Sequence, residues 1–140
     1  MHQILVFFHL FGLMLGAAGG FASGLIMRRA AGVPAEEARV LKGLGPMLAK
    51  VSLVGLAVMW LTGLILVFSV WGGLSGLPGI FWVKMIFVLA LTALALTTHY
   101  TYGQVKAGNT AAAARLPKIG PMSGVASLLA VLFAVFAFVP

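Results

Sequence analysis

Two ionisable side chains interrupt the long apolar segments of this sequence, and they are the residues best suited to chemistry. His9 lies in the apolar stretch 4–11, and Lys84 follows Phe81 and Trp82 at the start of another apolar stretch. An ionisable residue inside such a segment is costly and is a functional candidate by default. Each also has a plainer interpretation: His9 bonded to a neighbouring hydroxyl or carbonyl, and Lys84 extending its amine to the membrane surface.

His9 and Lys84 are predicted to lie at a similar depth. Each follows the start of a long apolar segment, which places it on the order of 10 Å inside the boundary by the rise of a helix. The two residues can therefore face one another. His99 lies roughly 22 Å deeper than Lys84 along the same segment, so His9 and His99 cannot both bind one iron. His99 fits either an aromatic interfacial belt or a polar site with Arg28 or Lys50.

Small residues recur on one face of the first apolar segment. Gly12, Gly16, Gly20 and Gly24 follow one another at four-residue spacing, which places them on one face of a helix, close to that of His9. Such a face lets a neighbouring backbone come close. The pattern therefore indicates either tight helix packing or a slot in which Gly12 and Gly16 contact a planar cofactor.

The composition indicates a membrane protein. Of the 140 residues, 62% are hydrophobic and 8% are charged, whereas a soluble domain carries about 25% charged residues. The net charge of +7 does not indicate nucleic-acid binding, because the basic residues cluster in short loops between apolar runs. The sequence has no cysteine, which excludes disulfides and thiolate metal sites.

Four apolar segments are long enough to cross a bilayer. They cover residues 4–27, 44–71, 80–102 and 119–139. Each has the roughly 20 residues that a helix needs to span the hydrocarbon core. Backbone groups in lipid must bond internally, so helices are expected. We predict an all-α integral membrane protein, an up-down four-helix bundle that forms a single domain over residues 1–140.

The basic residues predict the orientation of the chain. They concentrate in the first and third loops, whereas the second loop, residues 71–79, carries no charge. By the positive-inside rule, the basic loops face the cytoplasm and both termini lie on the opposite side. The pattern is typical of a multi-pass protein of a bacterial-type inner (plasma) membrane.

The first loop is predicted to contain a short helix of its own. Pro34 suits a first helical position, and acidic residues follow it, as the positive end of a helix favours. Gly43, Gly45 and Pro46 are expected to end this helix before the second span.

Two short motifs resemble a known family. Phe-His at residues 8–9, followed by Ala-Gly-Gly-Phe at 18–21, resembles the first helix of the HemJ-type protoporphyrinogen oxidases. Phe-Trp-Val-Lys at 81–84, followed by an apolar run to His99, resembles the Trp-x-x-Lys helix of that family. The related copper-resistance D membrane proteins share this layout. The resemblance covers about the first three helices.

This resemblance implies a membrane protein that binds haem b. The family's histidine and lysine correspond to His9 and Lys84. His9 would bind the haem iron. Lys84 would be either the second ligand of the iron or the partner of a haem propionate. A porphyrin would also suit the glycine face at Gly12 and Gly16. The implied activity is that of an oxidoreductase, either the oxidation of protoporphyrinogen IX in haem synthesis or electron transfer.

Two other functions remain open at this point. The first is a cofactor-free subunit that packs into a larger membrane complex, or into a homo-oligomer, through an outward-facing glycine surface. Lys84 would then pair with an acid of the partner or with a lipid headgroup. The second is a component of a copper or small-solute transporter.

Overall fold

The computed structural model describes residues 1–138 as four long helices joined by short loops. The helices are α1 (His2–Ala30), α2 (Ala35–Val70), α3 (Gly79–Lys106) and α4 (Leu116–Phe138). Two short 3-10 helices, Leu74–Gly76 and Thr110–Arg115, lie in the second and third loops. The described residues contain no β-strand, so the predicted all-α class is confirmed.

All four helices have the length and composition of membrane spans. Their most apolar 18-residue windows have a mean hydropathy between 2.0 and 2.4. Large apolar side chains such as Leu61, Ile86 and Leu128 are more than half exposed on the outside of the bundle. Apolar surface of this extent is stable only against lipid. The chain is therefore a multi-pass membrane protein.

Neighbouring helices run in opposite directions around the bundle. Gly12 of α1 lies against Met59 of α2, and Gly19 lies against Ser52. Residue numbers therefore rise along α1 where they fall along α2, so the two helices are antiparallel. α4 packs along both α1 and α3, whereas α2 and α3 touch only slightly. The result is the predicted up-down-up-down bundle, with its weakest contact between α2 and α3.

The glycines of α1 lie in very close helix contacts. A Cβ atom at Gly12 would lie 2.7 Å from the carbonyl oxygen of Gly55 in α2, and one at Gly24 would lie 2.5 Å from the Cα atom of Gly120 in α4. Both separations are too short for real carbon atoms. Glycine is therefore required where α1 crosses its two neighbours.

The second helix is longer than predicted. α2 continues without interruption through Gly43, Gly45 and Pro46, so the prediction of a separate short helix in the first loop is wrong. Proline removes one backbone hydrogen bond, here the bond to the carbonyl of Lys42. Lys42 is exposed at the polar end of the helix, where water can replace that bond.

The antiparallel arrangement brings both basic loops to one end of the bundle. Eight of the nine basic residues lie in or beside these loops, and their side chains are exposed. They are Arg28, Arg29, Arg39, Lys42, Lys50, Lys106, Arg115 and Lys118. Lys84 is the exception, because it is half-buried near the opposite end.

Candidate functional site

A cavity of about 460 Å³, here called the central cavity, lies at the end of the bundle opposite the basic loops. His9 of α1 and Lys84 of α3 both line it, and α2 and α4 complete the wall with residues such as Gly63 and Ala130. Most of the remaining wall is aliphatic or aromatic. The two ionisable residues singled out by the sequence therefore face the same apolar space, as their predicted depths allowed.

The imidazole of His9 is held in place by the backbone of α2. Its Nδ1 atom lies 2.9 Å from the carbonyl oxygen of Met59 and 3.2 Å from the hydroxyl of Thr62. The Thr62 hydroxyl donates its own hydrogen to the carbonyl of Val58, at 2.6 Å. Since both neighbours of Nδ1 can then only accept, Nδ1 carries a hydrogen, and in the neutral imidazole the lone pair is therefore on Nε2.

Gly63 makes the space in which this imidazole lies. A Cβ atom at Gly63 would stand 2.9 Å from the Cε1 atom of His9, so even an alanine would push the ring away from α2. Sequence analysis did not identify Gly63 as a site residue. Its only signal was a glycine within an otherwise apolar segment, where glycine weakens a helix unless close packing requires it.

The His9 side chain borders the central cavity, and its Nε2 atom has no hydrogen bond to the described residues. Both hydrogen bonds of His9 to the described residues use Nδ1. Every fully buried side-chain nitrogen or oxygen in residues 1–138 has a hydrogen-bond partner, so Nε2, which has none there, is not fully buried. A histidine that donates from one nitrogen to a carbonyl and leaves the other free has the arrangement of a metal-ligating histidine.

Lys84 lies between aromatic rings and not beside a carboxylate. Its Nζ atom is 5.3 Å from the ring centre of Phe81 and 5.4 Å from that of Phe138, within the range of cation–π attraction. The only acids of the sequence, Glu36 and Glu37, lie in the first turn of α2 at the other end of the bundle. The side chain is half-buried and borders the cavity. Its ammonium group could therefore pair with an anionic group of a molecule bound there.

Aromatic residues and a second histidine form the mouth of the central cavity. The ring of Phe138 lies 5.2 Å from that of Trp71 and 5.9 Å from that of Phe81. His2 is exposed and also lines the cavity. Sequence analysis gave His2 no role. Its seven-residue spacing from His9, which places both on one face of a helix, was the signal that could have identified it.

Gly12 and Gly16, predicted as part of a cofactor slot, do not line the central cavity. The backbone of α2 fills the space beside both of them. Gly16 also accepts a hydrogen bond of 2.6 Å on its carbonyl from the hydroxyl of Ser52. Of the two interpretations of the glycine face, the structure shows tight helix packing. The same face is turned inward, so it is not a surface for a partner chain.

The third histidine lies apart from this site. His99 is exposed near the end of α3 that carries the basic loops, and Arg28 and Lys50 are exposed as well, so these residues enclose no polar site. In residues 1–138, no group of three or more histidine, cysteine, aspartate or glutamate side chains could hold a metal ion. The described residues therefore offer no cluster for a bare metal ion, and a metal at the central cavity would have to arrive within a larger group.

No family model matches this chain, and neither a curated protein nor a solved structure matches it significantly.

Proposed function

We propose that this protein binds haem b in the membrane and uses it in an oxidoreductase or electron-transfer role. The observation that carries the proposal is how the imidazole of His9 is hydrogen-bonded and where it lies. Its Nδ1 atom lies 2.9 Å from the Met59 carbonyl oxygen, its Nε2 atom has no hydrogen bond to the described residues, and its side chain lines an apolar cavity. That arrangement is the one in which a neutral imidazole binds iron through Nε2.

The residues present fit such a group in size and charge. A volume of about 460 Å³ lies within the range of roughly 300–1,000 Å³ that is usual for cofactor pockets. The apolar wall suits a macrocycle, and the ammonium group of Lys84 suits a carboxylate substituent. Lys84 would act either as the counter-charge of a propionate or as a second axial ligand.

The bound haem would supply the electron chemistry, and its ligands would set its potential. The protein's own contribution is to orient His9 through Met59 and Thr62, to exclude water with the apolar wall, and to hold one positive charge near the mouth. The resemblance to the HemJ-type family extends the proposal to protoporphyrinogen IX as a substrate. An assay of its oxidation by the purified protein, with and without haem, tests that extension.

The positive-inside pattern supports a specific orientation for this site. With the two basic loops in the cytoplasm of a bacterial-type cell, the central cavity opens towards the non-cytoplasmic face of the inner membrane. A reporter fused to the N-terminus and active only outside the cytoplasm is expected to be active. If instead a reporter that is active only in the cytoplasm is active at that position, the protein has the opposite orientation.

Absorption spectroscopy tests the central proposal. The protein is purified in mild detergent from haem-replete cells, and oxidised and dithionite-reduced spectra are recorded for the wild type, His9→Ala and Lys84→Ala. We expect a b-type spectrum that is lost in His9→Ala. A shifted reduced spectrum in Lys84→Ala would identify a second axial ligand, whereas weaker binding with an unshifted spectrum would identify a propionate partner.

His99→Ala is the matched control, because His99 is exposed and remote from the cavity. Its spectrum should equal that of the wild type. A wild-type protein that stays colourless after titration with haem would contradict the proposal. The cofactor-free subunit would then be the better hypothesis, although its docking surface could not be the inward-facing glycines.

A further inference from the structure

The gap between α2 and α3 contains a cavity of its own. Among the helices that neighbour one another, these two touch least, and a space of about 110 Å³, here called the side pocket, lies between them. Trp60 and Leu64 of α2, Trp82 and Met85 of α3, and Leu74 of the connecting loop contribute to its wall.

The side pocket adjoins the central cavity and shares part of its wall. His9, Gly63 and Lys84 line both spaces. A molecule in the side pocket would therefore contact the same imidazole and the same ammonium group as one in the central cavity. Met59, Val67, Phe81 and Val88 also belong to both walls, so the two spaces are direct neighbours.

The outer rim of the side pocket lies on the surface that faces lipid. Leu64, Leu74 and Trp82 are 50%, 55% and 49% exposed. Lys84 is the only charged side chain in the wall apart from the titratable His9, and the loop above it, residues 71–79, has no charge. An apolar path therefore leads from the bilayer to the amine of Lys84.

One hydrogen bond joins α2 to α3 at the wall of the side pocket. The indole nitrogen of Trp60 donates to the hydroxyl of Thr92 at 3.0 Å, and Thr92 donates in turn to the carbonyl of Val88 at 2.8 Å. The bond holds together two helices that otherwise touch only slightly. It limits how far they can separate.

We propose that the gap between α2 and α3 is a lateral portal, through which an amphiphilic ligand dissolved in the membrane passes between the bilayer and the central cavity. The inference rests on the proposed function, because it takes the central cavity as the destination of that ligand. The apolar part of the ligand passes Leu64 and Trp82, and its anionic end meets Lys84. Met85, an unbranched and adaptable side chain, moves aside.

A first experiment examines the portal without haem. The sequence has three tryptophans, so the double variant Trp71→Phe/Trp82→Phe leaves Trp60 as the single fluorophore in the side pocket. This protein is reconstituted into phosphatidylcholine vesicles with brominated acyl chains, which quench indole fluorescence on contact. We expect strong quenching of Trp60 that Met85→Phe, by filling the side pocket, reduces several-fold.

Met122→Phe is the matched control, because Met122 is 57% exposed on α4 and lies away from the gap. It should leave the quenching of Trp60 unchanged. If Met85→Phe and Met122→Phe give equal quenching, acyl chains do not enter the side pocket and the portal is refuted.

A second experiment measures the route of the ligand. Haemin is preloaded into vesicles, and the rate at which the protein's absorption band appears is followed for the wild type, Met85→Phe and Thr92→Val. We expect slower loading for Met85→Phe. Thr92→Val should load faster, by roughly fivefold, the change that loss of one ordinary hydrogen bond produces. The final spectra should be the same for all three.

The outcomes separate the portal from the proposed function. Equal loading rates in all three proteins, with normal final spectra, would place the entry at the mouth near His2 and refute the portal while haem binding stands. No band in the wild type would refute haem binding, and the quenching experiment would then decide on the portal by itself.

Discussion

The two halves of α1 pack in opposite ways. From Gly12 onward, Gly12 and Gly19 bring the backbone of α1 against that of α2, and Gly24 brings it against that of α4, with no room for a Cβ atom at these three positions. Before Gly12, side chains such as Val6 and His9 hold the helices apart, and the central cavity lies between them. Glycine serves both regions differently: at Gly12 it admits a backbone, whereas at Gly63 it admits an imidazole. Along α1, small side chains thus produce the close helix contact, and larger side chains leave room for the central cavity.

The largest effect is expected from breaking the rigid half. In Gly24→Leu the new side chain would collide with the backbone of Gly120, since its Cβ would lie 2.5 Å from the Gly120 Cα. A backbone cannot yield as a flexible side chain can. We expect a loss of stability of about 3 kcal/mol or failure to fold, measured by thermal unfolding in detergent.

Gly103→Leu is the control for that prediction. Gly103 lies within α3, and nothing stands within 4 Å of its Cβ position. The variant should be as stable as the wild type or slightly more stable, because leucine favours a helix more than glycine does. Equal destabilisation by both substitutions would show that the close α1–α4 contact does not require glycine at residue 24.

A smaller and more local effect is expected in the cavity half. Gly63→Val places carbon atoms where the His9 ring lies, which displaces the ring from the Met59 carbonyl. We expect haem affinity to fall by about 10–100-fold, the usual effect of disturbing a partner that orients a metal ligand. Titration with haem, followed by absorption, measures it. Gly43→Val, on the same helix with open space at its Cβ position, should bind haem normally.

The smallest effect is expected from a hydrogen bond at the basic end of the bundle. The hydroxyls of Tyr102 and Ser23 lie 2.7 Å apart. Tyr102→Phe removes this bond and should lower the free energy of unfolding by about 1 kcal/mol. Because the bond is remote from the central cavity, the haem spectrum should stay the same. A changed spectrum would show that the two halves are coupled and not independent.

The sequence predicted the fold well because its physical causes are local. Apolar length determines which segments can span lipid, and lipid permits only helices for single spans. Helical rise alone placed His9 and Lys84 at one depth and His99 at another. These predictions needed no knowledge of which side chains touch.

What the sequence could not predict depends on how each helix is rotated against its neighbours. Gly12 and Gly16 had two interpretations, and only the position of the α2 backbone distinguishes them. The role of Gly63 depends on the side chain of His9, which lies on another helix. Pro46 was expected to end a helix, but α2 continues through it, and the residue that loses a hydrogen bond, Lys42, is exposed at the polar end of the helix.

The most direct test of the central claim is chemical rescue of His9. The His9→Gly variant removes the imidazole and leaves its space beside Gly63, which free imidazole can enter. We predict that His9→Gly lacks the b-type spectrum, that added imidazole restores it, and that His99→Gly never loses it. A His9→Gly protein that keeps the wild-type spectrum without imidazole would contradict the account, because the iron would then be held by another residue.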